Sequence, residues 1–162
     1  MISPLPFFHI YGWLASLLYT GWRGQQLITF SDRFDLEQFC QMVEKHQPQR
    51  AHLVPPILLG IAKSPVLENY DLSSVKMIVS AAAPLSKEVE NEVFERIGSQ
   101  VKQAWGMSEL SPLGTFTSDY NIKSGSVGPL VSSTYGKVVN PKTGISLGPN
   151  ESGELMIKVS QI

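Results

Sequence analysis

Apolar positions along this chain change their period several times, and each change marks an element. Residues 10–22 form an apolar run that ends at Arg23. It reads as a buried helix over about 12–22, entered from the aromatic-rich loop 4–12. Residues 27–30 have the length and character of a short buried strand. Leu36, Phe39, Cys40 and Val43 then fall at i, i+3, i+4 and i+7, the spacing of one helical face. Asp35 precedes them as an N-cap with Gln38 three residues on, Phe34 can staple onto Phe39, and Pro48 stops the helix. Residues 51–54 predict a second strand and 75–80 a third, the latter apolar enough to be buried on both faces. Between them Pro55-Pro56 opens a helix to about 63, where proline costs nothing because its N–H would be unpaired. Ser86 caps a further helix to about 97, with Glu88 and Glu90 at its positive end, and 101–105 is a fourth strand.

Strands alternating with helices predict an α/β fold, a mostly parallel sheet flanked by helices. From about Gly125 helical periodicity stops and turn residues crowd in, among them Gly128-Pro129, Pro141-Lys142-Thr143-Gly144 and Gly148-Pro149-Asn150. The short runs 135–139 and 154–159 between them predict an antiparallel β segment, the start of a small barrel or sandwich. The expected organisation is therefore an α/β part over 1–124 and a β segment over 125–162. Both ends are apolar, the last being 156–162, without the polar fraying of a domain terminus. A piece of something longer is expected.

Composition narrows the function classes. With 43% apolar and 17% charged residues and a net charge of −1, the chain reads as globular, and no basic stripe points to nucleic acid. The run 10–22 is shorter than the roughly 20 residues a membrane span needs. No Lys or Arg precedes it and two prolines do, which excludes a signal peptide. The single cysteine, Cys40, fits a reducing compartment and an inert core thiol. His46 and His52 lack metal-ligand spacing and read as structural.

Ligands of open α/β sheets bind outside the carboxyl ends of the strands. Two loops lie there, Ser80-Ala81-Ala82-Ala83-Pro84 and Trp105-Gly106-Met107-Ser108-Glu109. The second suits a nucleotide carrying a metal-bound phosphate. An aromatic face stacks on a purine, a glycine admits close backbone approach, and a hydroxyl donates to phosphate oxygen. A carboxylate can hold Mg²⁺. The same residues also suit a strand ending in a Gly turn with Ser108 as a cap, and taken alone they leave both readings open. The second glycine of a nucleophile elbow is absent, which argues against a serine hydrolase.

The order of motifs resembles the adenylate-forming superfamily, in particular acyl-CoA and 4-coumarate–CoA ligases and beetle luciferases. Leu5-Pro6-Phe7-Phe8-His9-Ile10-Tyr11-Gly12 is similar to the family's "PFFH" segment, and Ser80-Ala81-Ala82-Ala83-Pro84-Leu85 to its "SGAAPL" loop. Gln103-Ala104-Trp105-Gly106-Met107-Ser108-Glu109 resembles "QGYGMTE". Gly125-Ser126-Val127-Gly128 with Gly153-Glu154-Leu155 resembles the "GSVG…GEL" pair. The resemblance implies an adenylate site built from Ala82, Ala83, Pro84, Gln103, Ala104, Trp105, Gly106, Met107 and Ser108, with Trp105 where the family has Tyr. It implies Ser108 as the phosphate-contacting hydroxyl in place of Thr, Glu109 on Mg²⁺, His9 beside the acyl carboxylate and Tyr11 lining the acyl pocket. His9, Ser108 and Glu109 are then the catalytic set.

The implied reaction joins a small carboxylic acid, aryl or medium in length, to ATP as acyl-AMP and then to coenzyme A. An intracellular setting, cytoplasmic or peroxisomal, goes with it. Ala81 and Ala104 depart from the family's glycines, and Lys158-Val159-Ser160 stands where Arg-Gly-Pro is usual. The family's phosphate loop would precede Phe7. The ribose-binding Asp and the lysine-bearing domain would follow Leu155. The expectation is therefore a fragment of a ligase, inactive alone. A non-catalytic truncated product acting as a binding or interaction module is the alternative, and a luciferase-type oxidative enzyme a remoter one.

Overall fold

A computed structural model describes residues 1–31 and 33–159; of the chain's closing run, Ser160, Gln161 and Ile162 lie outside the described residues. The expected helix over 12–22 begins as a π-helical stretch, Tyr11–Leu18, that continues without a break into α1, Tyr19–Trp22. Gly12 is required where this helix starts, because a Cβ there would stand 2.3 Å from the Pro6 carbonyl oxygen. α2 spans Leu36–His46, with the Asp35 carboxylate accepting from the Gln38 N–H and Gln47 left-handed at its end. The Phe34 and Phe39 rings lie 6.0 Å apart, so the staple forms. β1 is Arg50–Leu53, α3 Pro55–Lys63, β2 Met77–Ser80, α4 Lys87–Ile97 and β3 Gln100–Gly106.

β1, β2 and β3 pair in parallel, in that order. Phe39, Cys40, Val43, Leu58, Ile61 and Val93 of the helices pack with Ala51, Leu53, Ile78 and Val101 of the strands into one core. That core covers one face of the sheet. Cys40 is buried in it, as its helical face requires. A fourth strand, β4 (Leu113–Phe116), runs antiparallel to β3. No sequence pattern announces it, since Leu113-Gly114-Thr115-Phe116 is too short to show alternation.

Two expected strands differ. Residues 27–30 contribute a single parallel bridge, Ile2 to Ile28, and Ile2 bridges Ala51 on its other side. Pro4 has no N–H to continue that ladder. Of 75–80 only Met77–Ser80 is strand, because the Val75 N–H closes a turn on the Leu72 carbonyl. Beyond residue 125, β5 (Thr134–Val139) and β6 (Glu154–Val159) form the expected antiparallel pair, a sheet separate from the first. Among the described residues no helix is long and apolar enough to cross a membrane.

Candidate functional site

The sheet face opposite the core is covered by the helix Tyr11–Leu18, and a cavity of about 430 Å³ lies between them. Strand alternation decides which side chains it receives. Arg50 and His52 of β1, Val79 of β2 and Lys102 and Ala104 of β3 line it, while Ala51, Leu53, Ile78 and Val101 point into the core. The cavity therefore runs along the strands. Its mouth is at their carboxyl ends, where Ala81, Ala82, Trp105, Gly106, Met107 and Ser108 meet His9. Strict alternation would place only one of Trp105 and Gly106 on this face. The pairing of β3 with β4 slips between them, and such an irregularity re-aims a side chain.

The wall from the helix is held by Tyr11. Its hydroxyl donates to the Val79 carbonyl at 2.9 Å, bridging to the end of β2, and burial pushes its acidity far below that of an ordinary phenol. The Tyr11 ring stacks on His52, with centroids 5.9 Å apart. His9 is exposed at the rim, and its Nδ1 accepts from the Tyr11 N–H at 3.1 Å, which orients the ring.

Ala83, Pro84, Gln103 and Glu109 fall outside the lining. Ala83 and Pro84 are exposed beside Ala82. Ala82 is left-handed, with φ 75°, a conformation L-residues avoid outside constrained functional loops. Glu109 follows Ser108 in a short 3₁₀ turn and is exposed. Gln103 points the other way. Its buried amide donates to the Leu85 carbonyl at 3.0 Å and to Glu90 Oε1 at 2.6 Å, so its side chain fastens the Ser80–Leu85 loop from behind. Gly106 serves a chain contact: a Cβ there would stand 1.9 Å from the Pro112 carbonyl oxygen.

Sequence reading missed the far end. His52, expected to be structural, lines the cavity, and its Nδ1 lies 3.2 Å from the Ser16 hydroxyl. Burial, with Arg50 and Lys102 nearby, lowers its pKa to about 4, so the ring is neutral. Lys102 and Arg50 both bind Asp119, whose carboxyl is held at about 2, chiefly by the Arg50 hydrogen bond. Lys102 Nζ also sits 4.0 Å from the Phe116 ring centroid. Lys102 stands between Gln100 and Gln103 in its strand, so no contrast with its neighbours marks it in the sequence.

Among the described residues no three His, Cys, Asp or Glu side chains gather as a metal site. The lone exposed carboxylate of Glu109 beside the Ser108 hydroxyl fits a cation that takes one or two carboxylates and completes its shell with phosphate oxygens.

The family model for AMP-binding enzymes matches residues 1–162. A 4-coumarate:CoA ligase of Petunia hybrida is 43% identical over all of this chain, which spans 31% of that protein's length. Among solved structures, a long-chain-fatty-acid-CoA ligase from Archaeoglobus fulgidus superposes with a TM-score of 0.83 at 24% identity, over 98% of this chain and 33% of the other. An anthranilate CoA ligase in complex with anthranoyl-AMP gives 0.86 at 17% identity, over 98% and 31%.

Proposed function

The chain belongs to the AMP-binding enzyme family, and from that premise we propose that it is part of an ATP-dependent acid–thiol ligase. The ligase activates a carboxylic acid as acyl-AMP and passes the acyl group to coenzyme A. One observation carries this reading: a single cavity gathers His9 and Tyr11, Ala82, and Trp105 with Ser108, from motifs separated by up to about a hundred residues in sequence.

At the mouth, Trp105 offers its indole face to the adenine, with Ala82, Ala83 and Pro84 as the opposing rim and Gln103, Ala104, Gly106 and Met107 as the supporting backbone. Ser108 donates to the phosphate. Glu109 would hold Mg²⁺, which when bound neutralises phosphate charge. His9 orients the acid's carboxylate toward the α-phosphorus, and Tyr11 walls the acyl group. Carboxylate oxygen attacks phosphorus, pyrophosphate leaves, and in a second step the thiol sulfur attacks the acyl carbon and AMP leaves. The work of these residues is positioning and charge stabilisation.

The reaction belongs to the whole protein, of which the chain spans about a third by the relatives' measure. The division into an α/β part over 1–124 and a β segment over 125–162 belongs to the same reading, as does an intracellular setting where ATP and coenzyme A are made. The test is acid-dependent ATP–pyrophosphate exchange by the whole protein. Trp105→Ala should raise the KM for ATP about tenfold, the scale of one lost stacking contact, and Glu109→Gln should lower exchange without weakening acid binding. Absence of exchange with every acid, together with nucleotide-independent self-association, would favour the interaction-module alternative.

A further inference from the structure

The inner end of the cavity is charged although most of its wall is apolar. Lys102 and Arg50 reach it from β3 and β1, and the Lys102 side chain is only 2% exposed. His52 stands in the same register row as Lys102, two strands away with Val79 of β2 between them. Burying an ammonium is costly unless it is paired, and Asp119 supplies the pair. Asp119 is shared, however, because its other oxygen binds Arg50. The neutral His52 adds no charge. Two cations thus face one carboxylate. Arg50 is partly hydrated, its side chain 45% exposed, whereas Lys102 is buried, so sharing Asp119 leaves a positive surplus centred on the buried ammonium.

We propose that this end is a specificity subsite for a second carboxylate, so that the acid activated here is a diacid whose far carboxylate is held by Lys102 and Arg50. This rests on the ligase reading for which carboxyl group is activated, but the subsite itself stands on the cavity's geometry. A substrate carboxylate brings the cluster to two cations and two anions. The His52 ring nitrogen not facing Ser16 has no other hydrogen-bond partner among the described residues and can serve the same group. Strands rise about 3.3 Å per residue, so Lys102 lies roughly 13 Å along β3 from Gly106 at the mouth. An aryl-extended or medium-chain diacid has the length to span most of that distance. Phe116, over which the ammonium lies, walls the same end.

The test uses the whole protein and two pairs of acids matched in size: 4-carboxycinnamate with 4-methylcinnamate, and octanedioate with octanoate. Binding is read by calorimetry and activation by kcat/KM for thioester formation. In at least one pair the diacid should be preferred by roughly tenfold to a hundredfold, the scale of a charge-assisted hydrogen bond. Lys102→Met should cut that ratio by tenfold or more, while Lys102→Arg keeps it. Arg50→Gln should reduce the ratio in the same direction and serves if Lys102→Met does not fold. Diacid preference in binding that Lys102→Met abolishes, without thioester formation, would uphold the subsite and remove the ligase reading. Equal binding of both members of each pair, or of neither, overturns the subsite whatever the catalytic result, as does a ratio untouched by Lys102→Met.

Discussion

His52 couples the cavity wall to stability through protonation. Its folded pKa of about 4 lies below the ordinary 6.5, because burial disfavours the charged ring. Between those values the unfolded chain binds a proton that the folded chain does not, so stability falls as pH drops from 6.5 to 4 and levels off below. The loss is about 3 kcal/mol. Urea melts across that range should show it as the difference between the wild type and His52→Gln, whose profile lacks this component. Gly106→Ala should cost roughly 3 kcal/mol by overpacking, because its Cβ meets the Pro112 backbone, read as a lower melting temperature. Gly21→Ala in α1 is the control, since nothing lies within 4 Å of that Cβ; it should gain about 0.5–1 kcal/mol. The sequence marks Gly106 as special without giving the reason. The motif suggests close approach of a ligand; the Pro112 backbone, contributed after β3, is a second requirement for glycine at a position that also lines the cavity.

Elements are held by local signals and by a few crossing contacts, and the two differ in what sequence reveals. The caps at Asp35 and Ser86 are legible because donor and acceptor lie within three residues. Asp35→Ala should therefore cost about 1 kcal/mol. Glu90 is of the other kind. It reads as an acid near a helix start, yet it is buried, and its two oxygens accept from Gln103 Nε2, the Ser124 hydroxyl and the Gly125 N–H. It ties α4 to β3 and to the loop 124–125. Glu90→Ala removes three hydrogen bonds, but Gln103 keeps its bond to the Leu85 carbonyl and the Ser124 and Gly125 donors lie near solvent, so the loss in chemical denaturation should be about 1–3 kcal/mol. A loss under 1 kcal/mol would mean that water replaces the carboxylate. The helices and parallel strands were legible from period and punctuation. β4 was not, because it is four residues long and is defined by its pairing partner.

At the scale of the molecule, the site is the gap between one sheet face and one helix. A non-hydrolysable acyl-adenylate analogue at a hundred times its dissociation constant should stabilise the whole protein by about 2.7 kcal/mol. Trp105→Ala, binding about tenfold more weakly, should remove about half of that gain in a thermal shift. The sequence by itself determined the alternation of strands and helices, the caps and breaks, the late antiparallel pair and the order of motifs around the mouth. Each of these depends on residues within one or two turns of one another, and periodicity and spacing record such relations. The tertiary structure alone decided that Arg50, His52 and Lys102 share a cavity and that Gln103, one residue from Lys102, does not. Strand side chains alternate sides, so their fate depends on register across three strands and on which face the helices cover. Those are relations between distant segments, and no local pattern in the chain records them.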